Sequence, residues 1–246
     1  MSIDLADFEE RTAEAVQLFW GSRTDAAERQ RKSGVIDQGE RGAVTSGKTM
    51  DGFVTLIADL VEANGLADAD VHLSRRVVTL PGYFRPTKDW DLVVMHQGRL
   101  VAVLELKSQV GPSFGNNFNN RCEEVIGSAV DLWTAYREGA FGDQSEPFLG
   151  WIMLVEDCPR SREPVRIRQP HFRVFPDNRN GSYLDRYDVL CRKLVTERLY
   201  SEAALVASTR MEGAHGGYSS MSEATSIRRF AASFAGHIAA EAAMAR

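Results

Sequence analysis

Two apolar runs meet at a short turn, and their polar exceptions are confined to one end. The first is Trp90-Asp91-Leu92-Val93-Val94-Met95. After His96-Gln97-Gly98-Arg99 comes Leu100-Val101-Ala102-Val103-Leu104-Glu105-Leu106-Lys107. β-Prone runs separated by a few residues that include glycine read as a hairpin. Side chains alternate along a strand, so Glu105 and Lys107 share a face. A turn centred on Gln97-Gly98 would set Asp91 opposite Leu104, beside Glu105. Charges inside such a hairpin are costly unless they are paired or bound to metal. The pattern therefore fits either a functional site or a strand-end ion pair.

The rest of the chain supplies helices to cover these strands. With 246 residues, 43% apolar and 26% charged, it has the composition of an ordinary folded protein. Asp7 to Trp20 and Met50 to Asn64 carry apolar residues at helical spacing, and Asp25 to Lys32 reads as a second, short helix. Gly34 to Gly47 reads as a glycine-rich loop, and Val71 to Leu80 as a strand ended by Pro81-Gly82. Asn117 to Asn120 reads as a polar loop before a helix from Glu123 to Arg137. Phe148 to Glu156 is a buried strand, and Val165 to Phe175 a strand broken at Pro170. Tyr183 to Ser208 and Met221 to Ala243 read as helices. Helices flanking a central mixed β-sheet make the expected fold class α/β, in a single domain. Its parts are a helical N-terminal region of about 1–66, a sheet of about 70–176 and C-terminal helices of about 183–246.

No apolar run is long enough to span a bilayer, and the acidic N-terminus lacks a signal-peptide core, so the expected location is cytoplasmic. Cys122, Cys158 and Cys191 are odd in number and widely spaced, which favours free thiols over bridges or a zinc site. The net charge of −5 argues against a protein that coats nucleic acid without regard to sequence. It leaves room for a local basic face. Between Arg160 and Arg198 there are ten cations and five acids.

Gly42-Ala43-Val44-Thr45-Ser46-Gly47-Lys48-Thr49 matches the phosphate-loop pattern GxxxxGK[ST], whose backbone amides and lysine would hold a nucleotide. A helix follows it, but no buried strand precedes it, so a P-loop NTPase is the alternative enzyme reading. A DNA-binding domain without catalysis is the third. The hairpin residues suit a different chemistry, phosphodiester hydrolysis. Asp91, Glu105 and the Leu106 carbonyl offer hard oxygen ligands for magnesium, which would activate water and neutralise charge on the phosphate. Lys107 could orient that water or stabilise the phosphorane.

Asp91 followed by Glu105-Leu106-Lys107 resembles the PD-(D/E)xK nuclease motif, with Trp90 in place of the proline and Asp89 as a competing first acid. More widely, Thr87-Lys88-Asp89-Trp90-Asp91-Leu92-Val93-Val94, then Leu104-Glu105-Leu106-Lys107-Ser108-Gln109, then Ser113-Phe114-Gly115-Asn116-Asn117-Phe118-Asn119-Asn120-Arg121, look like the XhoI-type restriction endonucleases. That resemblance implies a PD-(D/E)xK restriction-endonuclease-like core over residues 1–246. It implies a magnesium-dependent type II enzyme making double-strand breaks at the palindrome CTCGAG. Asp91, Glu105 and Lys107 would be catalytic, with Asp91, Glu105 and Leu106 on the metal. A palindromic double-stranded DNA substrate points to a homodimer, with a cognate DNA methyltransferase in the same system. Asn116, Asn117, Asn119, Asn120 and Arg121 become candidates for DNA contact, since asparagine pairs with adenine edges and arginine with guanine. A plain asparagine-rich turn fits the same letters. The arginines of 160–198 are candidates for phosphate contact. Glu40, Glu123 and Glu124 are further acids that could join the metal site.

Overall fold

The protein is described here from a computed structural model, which covers residues 3–5, 7–32, 50–72 and 77–245, with residues 26–32 as backbone only. Glu40 and the phosphate-loop lookalike at 42–49 lie outside the described residues. Helix α1 (Phe8–Lys32) runs on through Asp25–Lys32 without the expected break. Helix α2 (Asp51–Ala63) buries Phe53, Leu56, Ile57, Leu60 and Val61, the i, i+3, i+4 stripe of its sequence. It stops at Asn64-Gly65, where Gly65 takes φ +97°.

The run expected as one strand from Val71 to Leu80 divides between two sheets: β1 (Asp70–His72) and β2 (Thr79–Pro81). β2 pairs with β3 (Thr87–Asp89) in a small antiparallel hairpin. The main sheet contains β4 (Leu92–His96) and β5 (Arg99–Gln109), joined at Gln97-Gly98. Both turn residues have positive φ, +50° and +77°, the requirement of the tight turn whose twist suits a hairpin. The pairing His96 with Arg99 and Met95 with Leu100 follows the expected register. A bulge between Val94 and Met95 then shifts it, so Leu92, not Asp91, lies opposite Leu104.

Helix α3 (Phe114–Arg137) connects β5 to β6 (Phe148–Glu156). It begins well before Glu123, so the asparagines of 116–120 are helical, not a loop. Weak helix propensity is overridden there by packing. Phe114 is buried and stacks on Tyr183 at 5.7 Å, and Phe118 meets Tyr187 edge-on at 5.0 Å. No strand forms over 165–175. Pro164, Pro170 and Pro176 lack the amides a ladder needs, and Val165 donates its own to the Gly181 carbonyl.

Helix α4 (Tyr183–Thr196) is closed at its start by a reciprocal Ser182–Asp185 capping box. The helix expected to continue to Ser208 instead gives way to β7 (Glu202–Ser208), every residue of which is buried. Arg198, at φ +57°, breaks the helix before the chain enters that strand. Helix α5 (Ile227–Met244) starts at Ser226, whose hydroxyl accepts from the Arg229 amide.

The sheet order is β1-β4-β5-β6-β7, with the first two pairings antiparallel and the last two parallel. Alternation along these strands feeds two cores. Leu92, Val94, Leu104, Leu106, Ile152 and Val206 face α1, α2 and α5. Val93, Val103, Trp151, Met153 and Leu205 face α3 and α4. The protein is thus α/β, a mixed sheet flanked by helices. Among the described residues no helix is long and apolar enough to cross a membrane.

Candidate active site

Glu105 and Lys107 follow Val103 on β5, on the face that α3 covers. Asp91 immediately precedes β4. The Asp91 carboxylate bridges to β5 twice: its Oδ2 accepts from the Leu106 amide at 2.8 Å and from Lys107 Nζ at 2.9 Å. Lys107 Nζ is also 3.1 Å from Glu105 Oε1. Asp91, Glu105 and Lys107 are therefore one bonded cluster, although the bulge brings them together in a register other than the one the sequence suggests.

A fourth member was not assigned a role from the sequence. Lys88, on β3, donates to the same Glu105 Oε1 at 3.0 Å and lies 4.5 Å from the centre of the Trp90 ring. Two lysines and two carboxylates balance in charge. The only sequence signal for Lys88 was its place two residues before Trp90, which puts both on one face of an extended segment. Nothing in the pattern showed that a separate small hairpin would carry it to Glu105.

Burial alone would push the Glu105 carboxyl up; Lys107 and Lys88 outweigh it and hold the group below the usual glutamate value. Burial likewise works against the Lys107 ammonium, and Glu105 and Asp91 more than compensate, so its pKa is raised. The side chains of Glu105 and Lys88 are 5% and 14% exposed. Both cations act on one glutamate oxygen. The other, Oε2, is buried with no hydrogen-bond partner among the described residues. An unmatched carboxylate oxygen in such a place is expensive.

Glu105 also lines a cleft of about 1580 Å³, together with Asp91, Lys107, Arg121, Asp131 and Phe84. Asp89 borders it too, but its Oδ1 accepts from the Thr79 hydroxyl at 2.6 Å within the small hairpin. Glu123 and Glu124 line the cleft from the third turn of α3, and Glu124 pairs with Arg121. Asn116, Asn119 and Asn120 are exposed on the first turns of that helix, and Asn117 is half-buried. The arginine-rich segment is mixed in its commitments. Arg162 is paired with Asp157 and Arg192 with Asp188, while Arg166, Arg173 and Arg179 surround a second, shallow concavity.

The donor set fits a hard divalent cation: Asp91 and Glu105 meet at Lys107 Nζ, and Glu105 keeps a second, buried oxygen unmatched. No group of three or more His, Cys, Asp or Glu side chains gathers for a metal among the described residues. Such an ion would draw its other ligands from carbonyl oxygen, water and phosphate, the habit of magnesium.

A mixed sheet flanked by helices, with acids and lysines gathered where the hairpin meets the cleft, has the architecture of a restriction endonuclease. The family model described as restriction endonuclease XhoI matches residues 29–220. The chain is 57% identical over 179 residues to the type II restriction enzyme AbrI of Azospirillum brasilense, covering 73% of this chain and 80% of that one. It is 54% identical over 198 residues to the type II restriction enzyme XhoI of Xanthomonas vasicola, covering 79% and 78%. To the type II restriction enzyme BstVI of Geobacillus stearothermophilus it is 47% identical over 213 residues, covering 85% and 95%. No solved structure matches. The chain belongs to the XhoI restriction endonuclease family. It is accordingly a type II restriction endonuclease, an enzyme that acts on DNA.

Proposed function

We propose that this endonuclease hydrolyses both strands of duplex DNA at CTCGAG with magnesium, as a homodimer, using Asp91, Glu105 and Lys107. The target rests on the resemblance of three segments to the XhoI-type enzymes, and the dimer on the two-fold symmetry of that target. The observation that carries the chemistry is the unmatched Glu105 Oε2 in a cluster that Lys107 ties to Asp91. Asp91, Glu105 and the Leu106 carbonyl would hold magnesium, which when bound lowers the pKa of water and offsets charge on the scissile phosphate.

The protein's own groups do the rest. An ammonium has three donors. Lys107 spends two on Asp91 and Glu105, leaving the third for the attacking water or a phosphate oxygen. Its raised pKa keeps it charged at neutral pH. The double grip of Lys88 and Lys107 on one oxygen fixes which way the other points. Asn116, Asn117, Asn119, Asn120 and Arg121 on α3 are the proposed DNA contacts, with a cognate methyltransferase protecting the host sites.

Plasmid cleavage tests this. Discrete fragments are expected with magnesium and none with EDTA. Asp91→Ala, Glu105→Ala and Lys107→Ala should each abolish cutting while leaving far-UV circular dichroism unchanged. Cutting by all three variants would refute the site.

A further inference from the structure

The turn between β2 and β3 lifts two aromatic rings into solvent. Tyr83 is 53% and Phe84 70% exposed. They pack edge to face on each other, 5.0 Å between centres, and Phe84 and Arg85 border the active-site cleft. The tip is held firmly. Asp131, reaching up from α3 with a side chain 5% exposed, accepts the Tyr83 amide at 2.8 Å and the Phe84 amide at 2.7 Å on Oδ1. Its Oδ2 accepts Arg85 Nε at 2.7 Å. Gly82 is required at the base of the turn, because a Cβ there would lie 2.5 Å from Asp131 Oδ2 and 2.7 Å from the Arg85 carbonyl.

A buried carboxylate thus fixes a tip whose own side chains are left in water. Arg85, the one cation at that tip, holds Asp131 through Nε and is 43% exposed, so the tip offers the cleft's substrate two aromatic rings with a guanidinium beside them. Rigid exposed rings beside a DNA-cutting cleft match the chemistry of base stacking. They also match apolar wedges that enter a base step and kink the duplex. A subunit interface is a poorer fit, since a stable one buries ~800 Å² per partner, far more than two side chains present.

We propose that Phe84, backed by Tyr83, inserts into the base stack at a step within or next to the target site and bends the DNA into the cleft. This rests on the cleft being the site of cleavage. The test uses a CTCGAG duplex with a fluorescence-transfer pair at its ends. It is mixed with enzyme and magnesium in a stopped flow, so that the change preceding cutting is read on intact DNA. Wild type should show a bending phase. Phe84→Ala should lose it and raise KM by about 5- to 150-fold, the value of one base–aromatic stack. Phe84→Trp should restore both. Bending and KM within about twofold of wild type in both Phe84→Ala and Tyr83→Ala would overturn the proposal. So would a Phe84→Ala protein that sediments as monomer where wild type is a dimer and recovers wild-type KM at high enzyme concentration, which would assign the tip to a second copy. Glu105→Ala separates the two readings. If it still cuts, Glu105 is not part of the cutting machinery whatever the tip does; if it bends without cutting, both readings stand.

Discussion

Asp131→Asn isolates the buried carboxylate that anchors the aromatic tip, because the substitution keeps the shape and removes the charge. The amide oxygen can still accept the Tyr83 and Phe84 amides now bound at 2.8 and 2.7 Å. Those bonds pass from charge-assisted to neutral, a loss of about 1 kcal/mol each. The amide nitrogen then points donors at Arg85 Nε, ending that bond. Arg85 is 43% exposed, so its share is that of a surface ion pair, ~0.2–1 kcal/mol. Together the tip should lose about 2–3 kcal/mol of local stability, or about 30- to 150-fold in hydrogen-exchange protection at the Tyr83 and Phe84 amides. The effect depends on pH. Burial pushes the Asp131 carboxyl up, but Arg85 and the Phe84 and Tyr83 amides outweigh it, so its folded pKa lies below the ordinary 3.8. The contribution is therefore complete above that value and lost as pH falls through the lower folded one. Wild type and Asp131→Asn should differ at neutral pH and converge in acid. Protection at the two amides within about twofold of wild type at neutral pH would refute the reasoning.

Lys88→Met should lower the cleavage rate at saturating magnesium by ~10²-fold, the scale of removing one fixed charge beside a reacting group. Lys88→Arg should recover part of it, and an unchanged rate would remove Lys88 from the site. Among the thiols, Cys191 is fully buried and held far above the usual value, and Cys122 is pushed up to about 11. Cys191 should resist a thiol reagent at about pH 8 until the protein is unfolded, and Cys122 should react faster as pH approaches that value. Rapid labelling of Cys191 in the native protein would contradict its burial.

What the chain disclosed depended on how local each signal was. The β4–β5 hairpin, β6 and α2 announce themselves by apolar period and turn residues, and the structure has them where those signals lie. The alanines of β7 carry little β propensity, so a buried strand read as the tail of a helix; what makes it a strand is its pairing with β6. The asparagines before Arg121 look like a turn in isolation and become helical because Phe114 and Phe118 pack on Tyr183 and Tyr187. Glu105 and Lys107 could be grouped from alternation, and Asp91 joined them from a turn register that the bulge shifts by one residue. Lys88 and Asp131 could not, because each acts through a partner that is near only after folding.

The bulge at Val94–Met95 divides the hairpin into regions of unequal tolerance to length change. At Gln97-Gly98 an added residue would lengthen a solvent-facing turn. Between the bulge and the acids a single insertion or deletion would reverse the alternation of β5. Glu105 and Lys107 would then turn into the core beneath α1, α2 and α5, and Leu104 and Leu106 into the cleft. Relatives that vary in the length of this hairpin should therefore vary at its tip, with the stretch from Leu104 to Lys107 kept in step with Asp91.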